Sequence, residues 1–276
     1  LKRLEDLPGE VLRLKAKWDL LSDPVLDRPA GSLPISYLLR SEQRIVTFTG
    51  REAIEVDILE WCESGAWEAV RLYTGQGGIG KTRLLIEACE KLRWRGWSVG
   101  FLARMDSPPE THAVKVLLGS HDPLFLVVDY AETRRADLIP ILREAARPDP
   151  ARAKTRIVLL ARGVQDWWGE LQGADADAGL LLHDDIAGRF ELRPIADCLA
   201  KRAAAYFQAV EDFAKVLKKP APAAPPPPDL GAEHFGSVVF IHLAALAHVE
   251  GEDPEGADAL LDFILAHERR YWAGAL

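Results

Sequence analysis

Cysteine is scarce in this chain. The three residues, Cys62, Cys89 and Cys198, lie far apart with no CxxC pair, which excludes a disulfide framework and a cysteine zinc site as organising features. The seven histidines show no HExxH or other metal-ligand spacing. Long apolar runs are missing as well: the longest, Val238 to Val249, is broken by His242 and His248. It falls short of the roughly 20 apolar residues that span a bilayer. Positive charge is outnumbered, 34 Lys and Arg against 42 Asp and Glu, for a net charge of −8. That balance argues against a surface built to grip nucleic-acid phosphates. Neither a membrane nor nucleic acid is expected as a partner, and a reducing cytoplasm is the expected compartment. The chain opens on Leu1 rather than methionine, and the expectation is an excerpt of a longer protein.

What is present is 276 residues, 48% hydrophobic and 28% charged, the composition of a globular protein able to bury a substantial core. Within it, Gly75-Gln76-Gly77-Gly78-Ile79-Gly80-Lys81-Thr82 is a complete G-x-x-x-x-G-K-[ST] phosphate loop. Such a match arises by chance about once in a hundred chains of this length. Val70 to Tyr73 before it reads as a strand. Leu84, Leu85, Ala88, Cys89 and Leu92 after it recur at helical spacing, with Gly96 placed as a C-terminal cap. Strand, loop and helix in that order let backbone N–H groups turn inward around a phosphate at a positive helix end. Lys81 would then reach the β- and γ-phosphates, the Thr82 hydroxyl would ligate Mg²⁺, and Arg83 would follow in the same turn.

Along the chain, residues 1–43 read as a helical lead-in and a Pro/Gly-punctuated linker. Arg44 to Thr49 reads as a strand ending in a Gly-Arg turn, and a helix follows from about Glu52 to Cys62. Past the loop, strands are expected at Trp97–Leu102, Leu124–Val128, Arg156–Arg162 and Phe190–Pro194. The two apolar runs among them are typical of strands buried on both faces in a parallel sheet. A helix is expected from Ala136 to Ala146, and residues 173–187 read as a loop with one helical turn. After Pro194 the chain turns helical: Asp197–Lys219, Phe235–Val249 and Ala257–Trp272, with a Pro-rich spacer over 220–228. The fold class predicted is α/β: a P-loop nucleotide-binding domain over 44–195, its parallel sheet sandwiched by helices, followed by a helical lid subdomain over 196–276.

A phosphate loop needs a metal-binding carboxylate and a group that activates water. Asp129 ends the most hydrophobic strand, where ligands bind in such sheets, and is the candidate for Mg²⁺. Glu132, three residues on, is either the water-polarising base or a solvated or capping residue at the next helix. Arg162 ends the neighbouring apolar strand. It is read as a γ-phosphate sensor, with a surface ion pair as the alternative. Arg134 and Arg135 are expected in solvent, with contact to phosphate from a neighbouring subunit as the alternative.

These residues carry a resemblance. The loop GQGGIGKTRL, the segment LFLVVDYAE, the strand RIVLLAR and the entry FTGRE resemble the bacterial STAND class of signal-transduction ATPases, relatives of the NACHT and NB-ARC proteins. ELRPI, IHLAALAHVEG and HERRYW are similar to the helical part of that class, although Gly236-Ser237-Val238 lacks its proline. The resemblance implies an ATP/ADP-dependent switch that hydrolyses slowly and whose nucleotide state controls homo-oligomerisation, with effector and sensor domains elsewhere in the parent chain. It implies a sheet in which the Arg162 strand lies between the phosphate-loop and Asp129 strands. It also implies that Thr49, Gly50 and Arg51 lie near the adenine or ribose. An AAA+-type mechanochemical ATPase, a nucleotide-locked scaffold that does not hydrolyse and, least favoured by the charge, a nucleic-acid-dependent ATPase are the alternatives.

Overall fold

A computed structural model describes residues 9–23, 34–66, 69–220 and 229–275. Most of the lead-in linker and the Pro-rich tract 221–228 lie outside the described residues. The chain divides into two compact units, one taking Leu1–Pro24, Ala53–Gly75 and Glu87–Glu191, the other Val25–Glu52, Gln76–Ile86 and Leu192–Leu276.

The first unit is organised by a six-stranded sheet. Its strands are β1 (Leu21–Ser22), β2 (Val70–Thr74), β3 (Ser98–Leu102), β4 (Leu124–Val128), β5 (Thr155–Ala161) and β6 (Gly188–Glu191), in the order β1-β3-β4-β5-β2-β6. All neighbours are parallel except the dipeptide β1, which runs antiparallel to β3. Every residue of β2 and β4 is buried, so both sheet faces are covered, as the apolar runs predict. Because side chains alternate along a strand, Leu72, Leu126 and Leu159 join one core. The α-helices α1 (Gly9–Leu20), α4 (Thr111–Leu118), α5 (Arg135–Ala146), α6 (Gln165–Ala174) and α7 (Ala176–Leu181) contribute to that core. On the other face Arg71 is buried. Its guanidinium stacks 4.4 Å from the Trp61 ring and 4.9 Å from Phe190, and pairs with Asp57 at 2.6 Å. Trp61 and Asp57 come from α2 (Glu52–Glu63). A cation buried in a sheet face is tolerated here because rings and a carboxylate replace its water.

The second unit is helical. In α8 (Leu199–Leu217), α9 (Val238–Glu250) and α10 (Gly256–Ala275), residues such as Tyr206, Phe213, Ile241, Leu246 and Leu260 form a separate core. The loop 76–80 and the start of α3 (Lys81–Trp94) belong to this unit.

Several expectations need correction. Arg44–Thr49 is not a strand: Val46 is buried in the helical core, and the Thr47 N–H donates to Asp212 at 2.9 Å, not to a sheet ladder. The helices α4 and α6 were not expected, and the helical turn expected within residues 173–187 is α7. The last strand comes two residues earlier than expected. The helix expected from Phe235 begins at Val238, after a 3₁₀ turn over Glu233–Gly236.

Candidate functional site

In the first unit, the register brings the candidate residues to one end of the sheet. Thr74, the last residue of β2, pairs with Ala161, and Val128, the last of β4, pairs with Leu159 of the same β5. Gly75, Arg162 and Asp129 therefore leave the carboxyl ends of three adjacent strands. The Arg162 strand lies between the other two, as the resemblance implies.

The four residues after β4 form a compact turn. Tyr130 is left-handed (φ 56°), its N–H donates to its neighbour Asp129 Oδ1 at 2.9 Å, and its carbonyl accepts from the Thr133 N–H and hydroxyl, both at 2.9 Å. The buried Ala131 anchors the turn. Glu132 is thereby turned back toward β5. Its Oε1 accepts from the Arg162 N–H at 3.4 Å, while its Oε2 is buried with no hydrogen-bond partner among the described residues. Glu132 is half-buried. The Arg162 side chain is exposed and makes no ion pair among the described residues. Arg134 is not in solvent as expected: its guanidinium donates to the carbonyls of Leu102 and Ala103 and pairs with Asp137 at 2.9 Å. Arg135 pairs with Glu170 at the surface.

The loop itself lies in the second unit. Gln76, Gly77 and Gly78 are exposed, Ile79 is buried, and Lys81 Nζ donates to the Gln76 carbonyl at 3.0 Å. Thr82 and Arg83 follow in the first turn of α3, both partly buried. At Gly78 φ is +75°, and a Cβ there would sit 2.5 Å from Ser237 Oγ and 2.8 Å from Val239 Cγ1. Only glycine fits both the backbone and the approach. Ser237 and Val239, at the start of α9, also bond the loop: the hydroxyl donates to the Gly77 carbonyl at 3.4 Å and the Val239 N–H to the Gly78 carbonyl at 3.3 Å.

Arg51 supports the loop from below. It is 4% exposed and its guanidinium donates to the carbonyls of Ile79 and Arg193, both at 2.8 Å. Burial draws its pKa down. Gly50 turns with φ +83°, and its N–H donates to Glu52 at 2.8 Å.

Beside the loop runs a crevice lined by Thr47, Thr49, Gly80, Arg83, Gln208 and His242, among others. Sequence reasoning missed Gln208, Asp212 and His242. The only available signal was a polar pair four residues apart on α8. Asp212 is 7% exposed and accepts from the Thr47 N–H and hydroxyl, both at 2.9 Å, and from Gln208 Nε2 at 3.0 Å. Burial alone would raise its pKa, but these hydrogen bonds outweigh burial and hold it below the usual carboxylate range. His242 is pushed down to about 4, chiefly by burial and secondarily by Arg83. The imidazole is therefore neutral at physiological pH.

A pH dependence follows from His242. Its folded pKa lies below the unfolded value of about 6.5, so it costs nothing above that pH. As the pH falls toward 4, the unfolded chain takes up a proton that the folded one refuses, and stability drops. By pH 5 the loss is about 2 kcal/mol. Urea unfolding at pH 7 and pH 5 should show a smaller loss in His242→Asn than in wild type by about 1–2 kcal/mol. Equal losses would remove His242 as the source.

A G-x-x-x-x-G-K-T loop following a central strand, with a third parallel strand set between it and an Asp-tipped strand, decides the architecture. The fold is that of a P-loop NTPase. No family model matches the sequence, and no curated protein matches it. Among solved structures, the chain is similar to the ORC2 protein of Aeropyrum pernix in its ADPNP-ADP complexes (10% identity, 80% of this chain and 71% of that one, TM-score 0.48). It is similar to a Walker-type ATPase of Pyrococcus abyssi (13% identity, 82% and 73%, TM-score 0.47) and to Cdc6p of Pyrobaculum aerophilum (14% identity, 84% and 68%, TM-score 0.40). No helix among the described residues is long and apolar enough to cross a membrane.

Proposed function

We propose that this chain is the nucleotide-binding module of a STAND-type signalling ATPase: an ATP/ADP switch that hydrolyses slowly and whose nucleotide state controls homo-oligomerisation. Residues 44–195 would form its nucleotide domain and 196–276 its helical lid. The observation that carries the reading is the end of the sheet: Gly75, Arg162 and Asp129 leave adjacent strands, and Glu132 turns back to the Arg162 N–H.

In this reading Gly75 to Gly80 wrap the phosphates with backbone N–H groups. The Lys81 ammonium lies against the β- and γ-oxygens, and Arg162 meets the γ-phosphate. Thr82 and Asp129 offer a hydroxyl and a carboxylate, the hard oxygen donors that suit Mg²⁺. When bound, the ion neutralises charge on the phosphates. Glu132 Oε2, buried and without a partner among the described residues, is the atom that would hold and deprotonate the attacking water. Thr49, Gly50 and Arg51 frame the nucleoside end.

The nucleotide released on denaturing the purified protein tests the reading. ADP is expected, and a protein that emerges empty and binds no added nucleotide overturns it. A second measurement addresses the metal. Asp129→Ala should weaken ATP binding several-fold in Mg²⁺ and leave binding in EDTA nearly unchanged, because its contribution runs through the ion. Equal losses in both conditions would assign Asp129 a structural role.

A further inference from the structure

We infer that Arg134 is a positioning residue for hydrolysis: it ties the Glu132 turn to the end of β3, and through β3 the N-terminal lead-in sets the rate of the chemical step. The inference rests on the hydrolysing reading above and deepens it by naming a point of regulation away from the nucleotide.

Within the first unit, α1 and β1 grip β3 at both ends. At its start, Lys17 Nζ donates to Ser98 Oγ at 2.7 Å and pairs with Asp122 at 3.2 Å. At its finish, Leu21 pairs with Leu102 in the ladder and the Ser22 hydroxyl donates to the Phe101 carbonyl at 3.2 Å. One residue further, the Ala103 N–H donates to the Leu20 carbonyl at 2.9 Å. Gly100 makes room for this docking. A Cβ there would meet Leu21 Cβ at 2.9 Å, and the three nearest atoms all belong to the Leu21 side chain.

The same end of β3 clasps the turn that carries Glu132. The β3–β4 ladder finishes at Phe101 and Val127, so the Leu102 and Ala103 carbonyls lie beyond it. Arg134 takes both, with Nη1 on Leu102 at 2.7 Å and Nη2 on Ala103 at 2.5 Å, while Nε pairs with Asp137 at 2.9 Å. A planar guanidinium bound to two carbonyls and a carboxylate has its orientation fixed, and this side chain is 10% exposed. Its own N–H donates to the Ala131 carbonyl at 3.1 Å. On the other flank the Arg104 guanidinium lies 5.6 Å from the centre of the Tyr130 ring, a cation–π contact. Tyr130 and Arg134 bracket Ala131–Thr133, so both ends of the turn are held by Leu102, Ala103 and Arg104. The bond from Glu132 to β5 is a single one of 3.4 Å, and the clasp therefore decides where Oε2 sits. A base displaced by about 1 Å loses up to about a hundredfold in rate. Moving the lead-in shifts Ala103 through the Leu20 bond, and with it the carbonyls that Arg134 holds.

The test is single-turnover ATP hydrolysis by the full chain, with MgATP affinity and the urea midpoint measured beside it. Arg134→Met keeps the stem and removes every donor, and should slow hydrolysis at least about tenfold with affinity within about twofold of wild type. In a Glu132→Gln background the same change should alter the rate by less than about twofold, because the base it positions is gone. A general loosening of the fold would slow both backgrounds alike. Arg134→Lys, one point donor in place of the fork, should fall between wild type and Arg134→Met. Gly100→Ala touches neither the turn nor Arg134. By displacing Leu21 it should slow hydrolysis at least about threefold at unchanged affinity, and it decides the matter should Arg134→Met not fold. A wild-type rate in either folded variant, or equal slowing in both backgrounds, overturns the inference, while a slow Glu132→Gln protein in the same assay leaves the reading of Glu132 standing. A Glu132→Gln protein that hydrolyses at the wild-type rate overturns both.

Discussion

Lys81→Ala binds MgATP about a hundredfold more weakly than the wild-type chain. The estimate comes from the hydrogen bonds lost. An ammonium between two phosphates makes at least two charge-assisted bonds, each about 1.5–3 kcal/mol, set against the water that replaces it. In the structure the same ammonium donates to the Gln76 carbonyl at 3.0 Å, so the side chain already curls over the loop it would serve. The substitution removes this internal bond too, but at a partly buried position where water can replace it, so the fold survives. Calorimetry of the folded variant decides the outcome. Affinity within twofold of wild type would mean that Lys81 is not a phosphate ligand and that the loop does not bind nucleotide as proposed.

The sequence makes the phosphate loop and its sheet legible for a physical reason. Strands buried on both faces are largely apolar along their length. LFLVV and RIVLLA therefore stand out, and β4 and β5, buried at every residue but Thr155, lie where those runs do. The same logic misleads at Arg44–Thr49. Its β-branched residues suit a strand, but Thr47 finds its partner in Asp212, 165 residues away, and local pattern carries no trace of so distant a bond. The short helices α4 and α6 escape for another reason. Eight or ten residues with an apolar stripe such as Val114, Leu117 and Leu118 offer too few periods to stand out. The places of Asp129 and Arg162 at strand ends were legible because each follows an apolar run. What Glu132 faces was not legible, since that depends on the left-handed Tyr130 (φ 56°), a conformation that a tyrosine gives no hint of adopting.

That turn leads to the expectation for Glu132→Gln: hydrolysis slower by about 10²–10⁴-fold, the usual worth of a positioned base, with ATP affinity near wild type. In the proposed reading the two neighbouring carboxylates take separate roles. Asp129 takes the Tyr130 N–H on Oδ1 and is assigned to the metal, which leaves it a poor proton acceptor. Glu132 is held by one oxygen on the Arg162 N–H at 3.4 Å, while its other oxygen is buried and unpartnered. A buried acceptor without a donor is costly unless something arrives to fill it, and a water aligned for attack is a donor of the required kind. Gln keeps the shape and can still accept the Arg162 bond through its carbonyl, but it cannot take a proton. Binding and fold should therefore be spared while the chemical step fails. Single-turnover hydrolysis beside equilibrium binding measures both terms. A Glu132→Gln protein that hydrolyses at the wild-type rate would relegate Glu132 to holding the β5 end in place. A variant that loses affinity as steeply as rate would mean that the carboxylate binds the nucleotide and not the water. If the rate alone falls, the ATP-trapped variant should also accumulate in whatever assembled state the switch controls, which sedimentation of both proteins with ATP would detect.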